Sequence, residues 1–230
     1  TNQSGDNLFI LEREKILNGD TTASLQSFDT PSMAQSGFAS AQILDIVDDN
    51  HPEAGNATLV YLQDDSWGGV SYDHIKLWTV NVDWDNPANS SISNPTELAT
   101  TAFNSVFDGG SFSNLQQPSG PDIDAVQATI MNQAQFRKFA THNSAVFNFV
   151  VDTDGTAGEL AGIRWYELRQ DGDGQPWSIY QEGTYIAPDG RHAFMGSMSM
   201  DLQGNIGMGY SSVSTSESVS LRYTGRYAAD

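Results

Sequence analysis

Cysteine is absent from this chain, and that absence removes two ways of stabilising a fold. No disulfide bond can form, and no metal site can be built on thiolates. Stability must come from packing, for which apolar residues make up 38% of the chain and aromatic residues 10%. Because all-β folds of this length are often one unit, residues 1–230 are interpreted as a single domain.

Basic residues are scarce, since ten lysines and arginines stand against 29 acidic residues, for a formal charge of −19. A surface with this excess repels the phosphates of nucleic acids and of anionic lipids, so we expect no nucleic-acid partner. The excess is typical of a solvated surface that keeps a secreted protein soluble. It is also compatible with a set of cation sites.

Long apolar runs and common catalytic motifs are also missing. No run approaches the roughly 20 residues that cross a bilayer, so no membrane insertion is expected. The sequence has no Gly-x-Ser-x-Gly elbow and no glycine-rich loop that ends in Lys-Ser or Lys-Thr. Serine-hydrolase and nucleotide-binding functions are therefore not predicted.

What the sequence does contain is a rhythm of short apolar runs separated by turn residues. Connections such as DGDG (171–174) and PDG (188–190) supply the positive φ angles of tight hairpins. The pattern predicts strands at 41–47, 58–63, 74–84, 144–152, 162–169, 177–185, 193–201, 205–212 and 220–227.

Three other segments are less regular. Residues 7–13 predict a strand that runs into one turn of helix ended by Gly19. Residues 86–121 are rich in Ser, Asn, Thr, Pro and Gly, which predicts a long surface excursion. Strands are expected to resume over 125–132, and residues 133–139 either extend that β region or form a connecting turn.

Evenly spaced meanders of this kind suit propeller blades, sandwiches and barrels. Two loosely repeated phrases, LWTV (77–80) and IRWY (163–166), favour blades, because each opens an apolar strand after a turn rich in Asp and Gly. We therefore predict an all-β fold made of antiparallel four-stranded blades of a β-propeller.

The phrases AGIRWYELR (161–169), YQEGTY (180–185), GSMSMD (196–201), GNIGMGYS (204–211) and RYTGR (222–226) resemble the closing part of a group of uncharacterised secreted bacterial β-propeller domains. The segment NLFILEREKILNGD (7–20) extends the resemblance to nearly the whole chain. It implies a secreted or cell-surface location and the C-terminal portion of a propeller. The implied partner is the remaining part of the propeller or another copy of the chain.

That resemblance carries no activity, so the leading hypothesis is a noncatalytic module that binds a glycan or a protein. The alternative is a carbohydrate-active enzyme, because SMDLQGN (199–205) is distantly similar to the Asp-box hairpin of sialidase-type propellers, with one extra residue between Asp and Gly. A sialidase-like glycoside hydrolase needs arginines, a tyrosine nucleophile and a carboxylate. The candidates for these roles are Arg164, Tyr166, Glu167 and Arg191.

Tryptophans and alternating aspartates give the remaining candidate sites. Trp67, whose neighbours are Asp, Ser and Gly, and Trp165 are candidates for ligand binding, since any tryptophan exposed in a groove can stack on a sugar ring. Asp152 and Asp154 alternate beside Gly155, which calcium can use and which equally suits a hairpin. Calcium is the one cofactor that the sequence suggests.

Overall fold

A computed structural model describes residues 8–34, 41–107, 110–155 and 158–230. Strands dominate these residues, and their α-helix spans five residues, so the all-β prediction is confirmed. Asn7, where the first predicted strand begins, lies outside the described residues. No helix in the described part of the chain is long and apolar enough to cross a membrane.

Most predicted strands are found within one or two residues of their expected ends, although β5 ends at Asn81 rather than at residue 84. The described elements, in chain order, are β1 Leu8–Leu11, α1 Arg13–Leu17, β2 Leu25–Phe28, β3 Gln42–Ile46, β4 Ala57–Gln63, β5 His74–Asn81, a 3-10 helix Pro87–Asn89, β6 Ser91–Ile92, β7 Thr96–Ala99, β8 Ala134–Lys138, β9 Asn143–Asp152, β10 Ala161–Gln170, β11 Ser178–Tyr185, β12 His192–Met200, β13 Ile206–Val213 and β14 Ser220–Arg226.

Two antiparallel meanders form the centre of the fold. In the first meander β3, β4 and β5 are neighbours in that order, and β6 and β7 both pair with the far edge of β5. In the second meander β8, β9, β10 and β11 follow one another. Within each meander, every strand except β7 therefore lies beside the strand that precedes it.

The two meanders are joined along their first strands. β3 and β8 run parallel, with Leu44 opposite Ala134 and Ile46 opposite Phe136. The result is one nine-stranded sheet. This grouping does not confirm separate four-stranded blades, so the blade arrangement stays a prediction.

The strands β12, β13 and β14 form a three-stranded antiparallel sheet, called the third sheet below. It packs on the second meander. Alternate side chains of β9 point to opposite faces of the sheet, so this strand can contact a different neighbour on each face. Phe147 and Phe149 belong to the core shared with the first meander, whereas Val146 packs with Met198 and Met208 of the third sheet. The second meander is therefore the middle layer.

The N-terminal hairpin packs on the first meander. β1 and β2 are antiparallel, and Leu8 lies opposite Phe28. The Nε1 atom of Trp78, on β5, donates to the carbonyl of Pro31 at 2.9 Å. The predicted turn of helix is confirmed as α1, and Gly19 follows it with a φ of 67°.

Two predictions about the middle of the chain are wrong. Residues 125–132 form no strand, because Val126 and Ala128 have φ angles of 57° and 58°, outside the extended region. The strand is β8, in the segment that was expected to extend that region or to turn. Residues 86–121 are not simply a surface excursion, since they contribute β6 and β7 and bury Phe107 and Leu115 completely.

Candidate functional site

A cavity of about 310 Å³ opens where the first and second meanders meet. Its lining comes from β3, from the loop between β3 and β4, from β8 and from the connection between β10 and β11. We call it the Trp177 pocket after its largest side chain. Its volume lies at the lower end of the range for small-ligand sites, about 300 to 1,000 Å³.

The apolar side of the Trp177 pocket is an aromatic wall. The rings of Trp177 and Phe136 meet edge to face, with centroids 6.2 Å apart and an interplanar angle of 83°. The Nε1 atom of Trp177 lies 3.4 Å from the hydroxyl of Thr58, to which it donates. Ile43 and Ile46 continue the wall and are partly exposed to solvent. The indole is therefore held in one orientation beside an open apolar surface.

The polar side of the pocket is a hydrogen-bonded set around Asp173. Lys138 Nζ lies 2.5 Å from Asp173 Oδ2, and Asn143 Nδ2 donates to Asp173 Oδ1 and to Gln170 Oε1, both at 2.8 Å. The Lys138 ammonium lowers the pKa of Asp173 to about 2, more than burial raises it. The Asp173 carboxylate and the Gln170 amide therefore line the same pocket as the aromatic wall.

A glycine turn and a backbone hydrogen bond bring the loops around the pocket together. Gly174 has a φ of 72°, and a Cβ atom there would lie 3.3 Å from the side chain of Asn56. The backbone N–H of Glu53 donates to Asp173 Oδ2 at 2.8 Å. The loop before β4 is thereby tied to the hairpin between β10 and β11. These contacts join residues more than 100 positions apart, so the local sequence pattern does not show the pocket.

Trp165, one of the two predicted ligand-binding residues, lines a different and smaller cleft. This cleft, called the Trp165 cleft, has a volume of about 160 Å³ and lies between the second meander and the third sheet. Tyr185, Met208 and Thr224 also line it. The guanidinium of Arg226 lies 5.6 Å from the centroid of the Trp165 indole. An aromatic ring and a cation therefore meet at an apolar opening.

Trp67, the other predicted ligand-binding residue, is not exposed. Only 4% of its surface is accessible, and its ring centroid lies 6.0 Å from that of Tyr61 in the core of the first meander. The expectation that polar neighbours would expose this indole is therefore wrong. The neighbours are polar because they form a turn, in which the backbone N–H of Trp67 donates to the carbonyl of Asp64 at 3.0 Å.

The four predicted catalytic residues are divided between the two faces of β10 and the connection between β11 and β12. Arg164 and Tyr166 lie on the face that packs against Phe149 and Phe147, and Glu167 lies on the opposite face. Arg191 is in the connection between β11 and β12, where it forms ion pairs with Glu217 and Asp189. The structure does not bring these candidates together around one cleft.

Each of these residues is also engaged in a local network. Arg164 forms an ion pair with Glu182 and donates to the hydroxyl of Tyr166 at 3.0 Å. Tyr166 stacks between Phe147 and Phe149, and its burial raises its pKa to about 12. A phenol that stays protonated at neutral pH is a weak nucleophile.

Glu167 is buried on the other face of β10. Its Oε1 atom accepts from Ser144 Oγ at 2.7 Å and from Arg169 Nε at 2.5 Å, and its Oε2 atom accepts from Gln181 Nε2 at 2.5 Å. The carboxylate is therefore surrounded by donors from three strands. Such a network stabilises the pairing of β9, β10 and β11.

The predicted calcium ligands lie at the end of β9. Asp152 Oδ1 accepts from the backbone N–H groups of Asp154 at 3.2 Å and of Leu160 at 3.3 Å. These bonds close the turn between β9 and β10, in agreement with the hairpin interpretation. Calcium binding at this turn stays a prediction.

A different group of carboxylates is brought together by the first meander. One oxygen from each of Asp64, Asp65 and Asp73 lies within 4.8 Å of the others. Asp64 accepts from the backbone N–H of Ser105 at 2.6 Å, and Asp73 accepts from that of Phe103 at 2.7 Å. Burial raises the pKa of Asp73. These two carboxylates hold the loop after β7 against the turn between β4 and β5.

Comparison with models of protein families, with curated proteins and with solved structures finds no match. The resemblance to secreted bacterial propeller domains, and the location that it implies, therefore stay predictions. What supports a function is the geometry of the Trp177 pocket and of the Trp165 cleft.

Proposed function

We propose that this chain is a noncatalytic glycan-binding module and that the Trp177 pocket holds the sugar. One observation carries the proposal: a fixed indole and a fixed carboxylate face the same open cavity. The apolar face of a sugar ring stacks on an aromatic side chain, and its hydroxyl groups donate to carboxylate and amide oxygens. Trp177, Asp173 and Gln170 offer both kinds of contact.

The charge of the surroundings selects among glycans. Asp173 is ionised at neutral pH, Glu53 lies exposed at the edge of the pocket, and the whole chain carries a formal charge of −19. An anionic sugar would be repelled by this field, although Lys138 offsets part of it. The preferred ligand is therefore a neutral oligosaccharide.

The proposal places the module in a larger secreted or cell-surface bacterial protein and treats its meanders as propeller blades. One feature of the topology supports blades: within each meander successive strands are antiparallel neighbours in chain order, apart from β7, which pairs with β5. The first strand of the third sheet, β12, contacts β8 and β9 of the second meander.

The first test is an array of neutral and acidic oligosaccharides, followed by calorimetry with the best ligand. We expect neutral glycans to bind and Trp177→Ala to weaken binding by at least about tenfold. Trp165→Ala is the matched control, because it removes an indole from the other cleft and should leave the affinity unchanged. Far-UV circular dichroism of each variant checks the fold. Absence of binding on the array, or unchanged affinity of Trp177→Ala, would refute the proposal.

A further inference from the structure

The last strand, β14, leaves one edge of the third sheet open. β14 pairs with β13 along its whole length, and no other described strand pairs with it. Leu221 is 86% exposed and Tyr223 is 90% exposed. An edge with unpaired backbone groups and exposed apolar side chains is a template for another strand.

The Trp165 cleft lies directly beside this open edge. Thr224, Gly225 and Arg226 of β14 form one side of it, and Trp165 and Tyr185 of the second meander form the other. A cavity of about 150 Å³ with apolar walls is large enough for benzene. The cleft, at about 160 Å³, can therefore take one large apolar side chain from a strand added to β14.

The charge of β14 differs from that of the rest of the protein. Its sequence, SLRYTGR (220–226), has two arginines and no acidic residue, in a chain with a formal charge of −19. Arg222 is paired with Asp189. Arg226 lies over the Trp165 ring and donates to the main-chain oxygen of Asp230, and it forms no ion pair with a carboxylate side chain of the described residues.

We propose that β14 binds an extended acidic peptide segment of another protein by strand addition. A large apolar side chain of that segment enters the Trp165 cleft. An acidic side chain two positions along, on the same face of the added strand, reaches Arg226. This inference uses a different cleft from the proposed glycan site, so either can fail alone.

A second copy of this chain fits the same edge less well. Antiparallel pairing of two β14 strands over their whole length would set Arg226 opposite Ser220 and Arg222 opposite Thr224, so a second copy offers neither arginine a carboxylate. An acidic segment instead supplies a carboxylate for Arg226, whose contacts in the described residues are with the main-chain oxygen of Asp230 and the Trp165 ring. Charge complementarity therefore selects an acidic partner strand.

The probe is a capped, fluorescein-labelled peptide of sequence Thr-Glu-Thr-Phe-Thr-Glu-Thr, titrated with the protein by fluorescence anisotropy. We expect saturable binding, and Arg226→Glu should weaken it by about tenfold or more. The same variant should now bind a peptide with Lys in place of Glu. The control is Arg13→Glu, at an exposed position far from β14 in the sequence. This variant has the same net charge as Arg226→Glu and should bind the probe as tightly as wild type.

Two changes in the peptide separate strand addition from general attraction. Replacing Phe by Ala should weaken binding, because the cleft is left unfilled. Methylation of alternate backbone nitrogens along one edge should abolish it, because that edge can no longer pair with β14. Equal binding of the methylated peptide, equal binding by Arg226→Glu, no binding at about 1 mM peptide, or a dimer through β14 in sedimentation would each overturn the proposal.

Discussion

The ammonium of Lys138 lies 2.5 Å from the Oδ2 atom of Asp173 and joins strand β8 to the hairpin between β10 and β11. Because Asp173 has a pKa of about 2, below its ordinary value of 3.8, its ionised form stabilises the folded state above about pH 4. That stabilisation is lost as the pH falls from about 4 towards 2. The wall of the Trp177 pocket is therefore predicted to be acid-sensitive.

We expect Asp173→Asn to lower the free energy of unfolding by about 2 kcal/mol at neutral pH, the usual scale for a hydrogen bond to a charged group. The difference from wild type should shrink on acidification, because wild-type Asp173 is then partly protonated in both states. Urea unfolding at about pH 7 and about pH 2.5 measures this difference. Asp171→Asn, at an exposed neighbour in the same hairpin, is the control. A difference that stayed constant with pH would contradict the prediction.

The contribution of Tyr166 to stability has the opposite dependence on pH, because it is lost at high pH. Burial between Phe147 and Phe149 raises its pKa to about 12, so the unfolded chain releases this proton first, near pH 10. The stability that Tyr166 contributes is present below about pH 10 and is lost as the pH rises from about 10 towards 12.

We expect Tyr166→Phe to cost about 1 to 3 kcal/mol at about pH 8, because Arg164 Nε loses its buried acceptor. By about pH 11 the difference in the free energy of unfolding between variant and wild type should narrow. Wild type has then lost part of the stability that Tyr166 contributes, whereas phenylalanine does not titrate. Chemical unfolding at both pH values tests this, with the exposed Tyr223→Phe as the control. A gap that widened at high pH would show that the sign of the pKa shift is wrong.

The strands were predictable from the sequence because their signals are local. Short apolar runs bounded by turn residues mark β9, β10 and β13 to within one or two positions. The sequence prediction failed where non-local contacts set the backbone conformation. Val126 and Ala128 take positive φ angles in a segment where Gln127 accepts from the backbone of Phe107 at 2.9 Å.

The candidate site was less predictable for the same reason. Trp67 has polar neighbours in sequence, yet the fold packs it on Tyr61. Trp177 was only one of five tryptophans, and its pocket exists because β3, β8 and the hairpin after β10 converge. Residue types indicated which side chains could bind a ligand. Only the packing of the meanders selects the ones that face a cavity.

A buried glutamine joins the second meander to the third sheet. Gln135 Oε1 accepts from the backbone N–H of Met200 at 2.5 Å, and its Nε2 atom donates to the Met200 carbonyl at 3.3 Å. The side-chain amide therefore pairs with both backbone groups of Met200, as a neighbouring strand would. We expect Gln135→Leu to lower the free energy of unfolding by about 1 to 3 kcal/mol, because the backbone N–H of Met200 loses its partner in the core, whereas its carbonyl still accepts from Arg137 Nε at 3.0 Å.

Urea unfolding at neutral pH measures that loss. Gln203→Leu, at an exposed position in the turn after β12, makes the same chemical change without removing a buried partner and should alter stability by less than about 0.5 kcal/mol. If the two variants were equally stable, the Gln135 contact would not be the link between the layers.

Asp64 is the most constrained carboxylate of the group in the first meander. Its Oδ2 atom accepts from the backbone N–H of Ser105 at 2.6 Å and from the hydroxyl of Ser105 at 2.8 Å, in a fully buried setting. Its Oδ1 atom accepts from the backbone N–H of Ser66 at 2.7 Å. An amide in its place would turn an N–H₂ group towards one of these donors.

Asp64→Asn should therefore lower the free energy of unfolding by about 2 to 4 kcal/mol. Asp65→Asn, at the exposed neighbour, should change stability by less than about 0.5 kcal/mol. Thermal and urea unfolding of the two variants decide between two roles for these carboxylates. A large effect confined to Asp64 means that it holds the loop after β7 in place. Equal effects at both positions would mean that the carboxylates act as a group, and the role of Asp64 in holding the loop would be wrong.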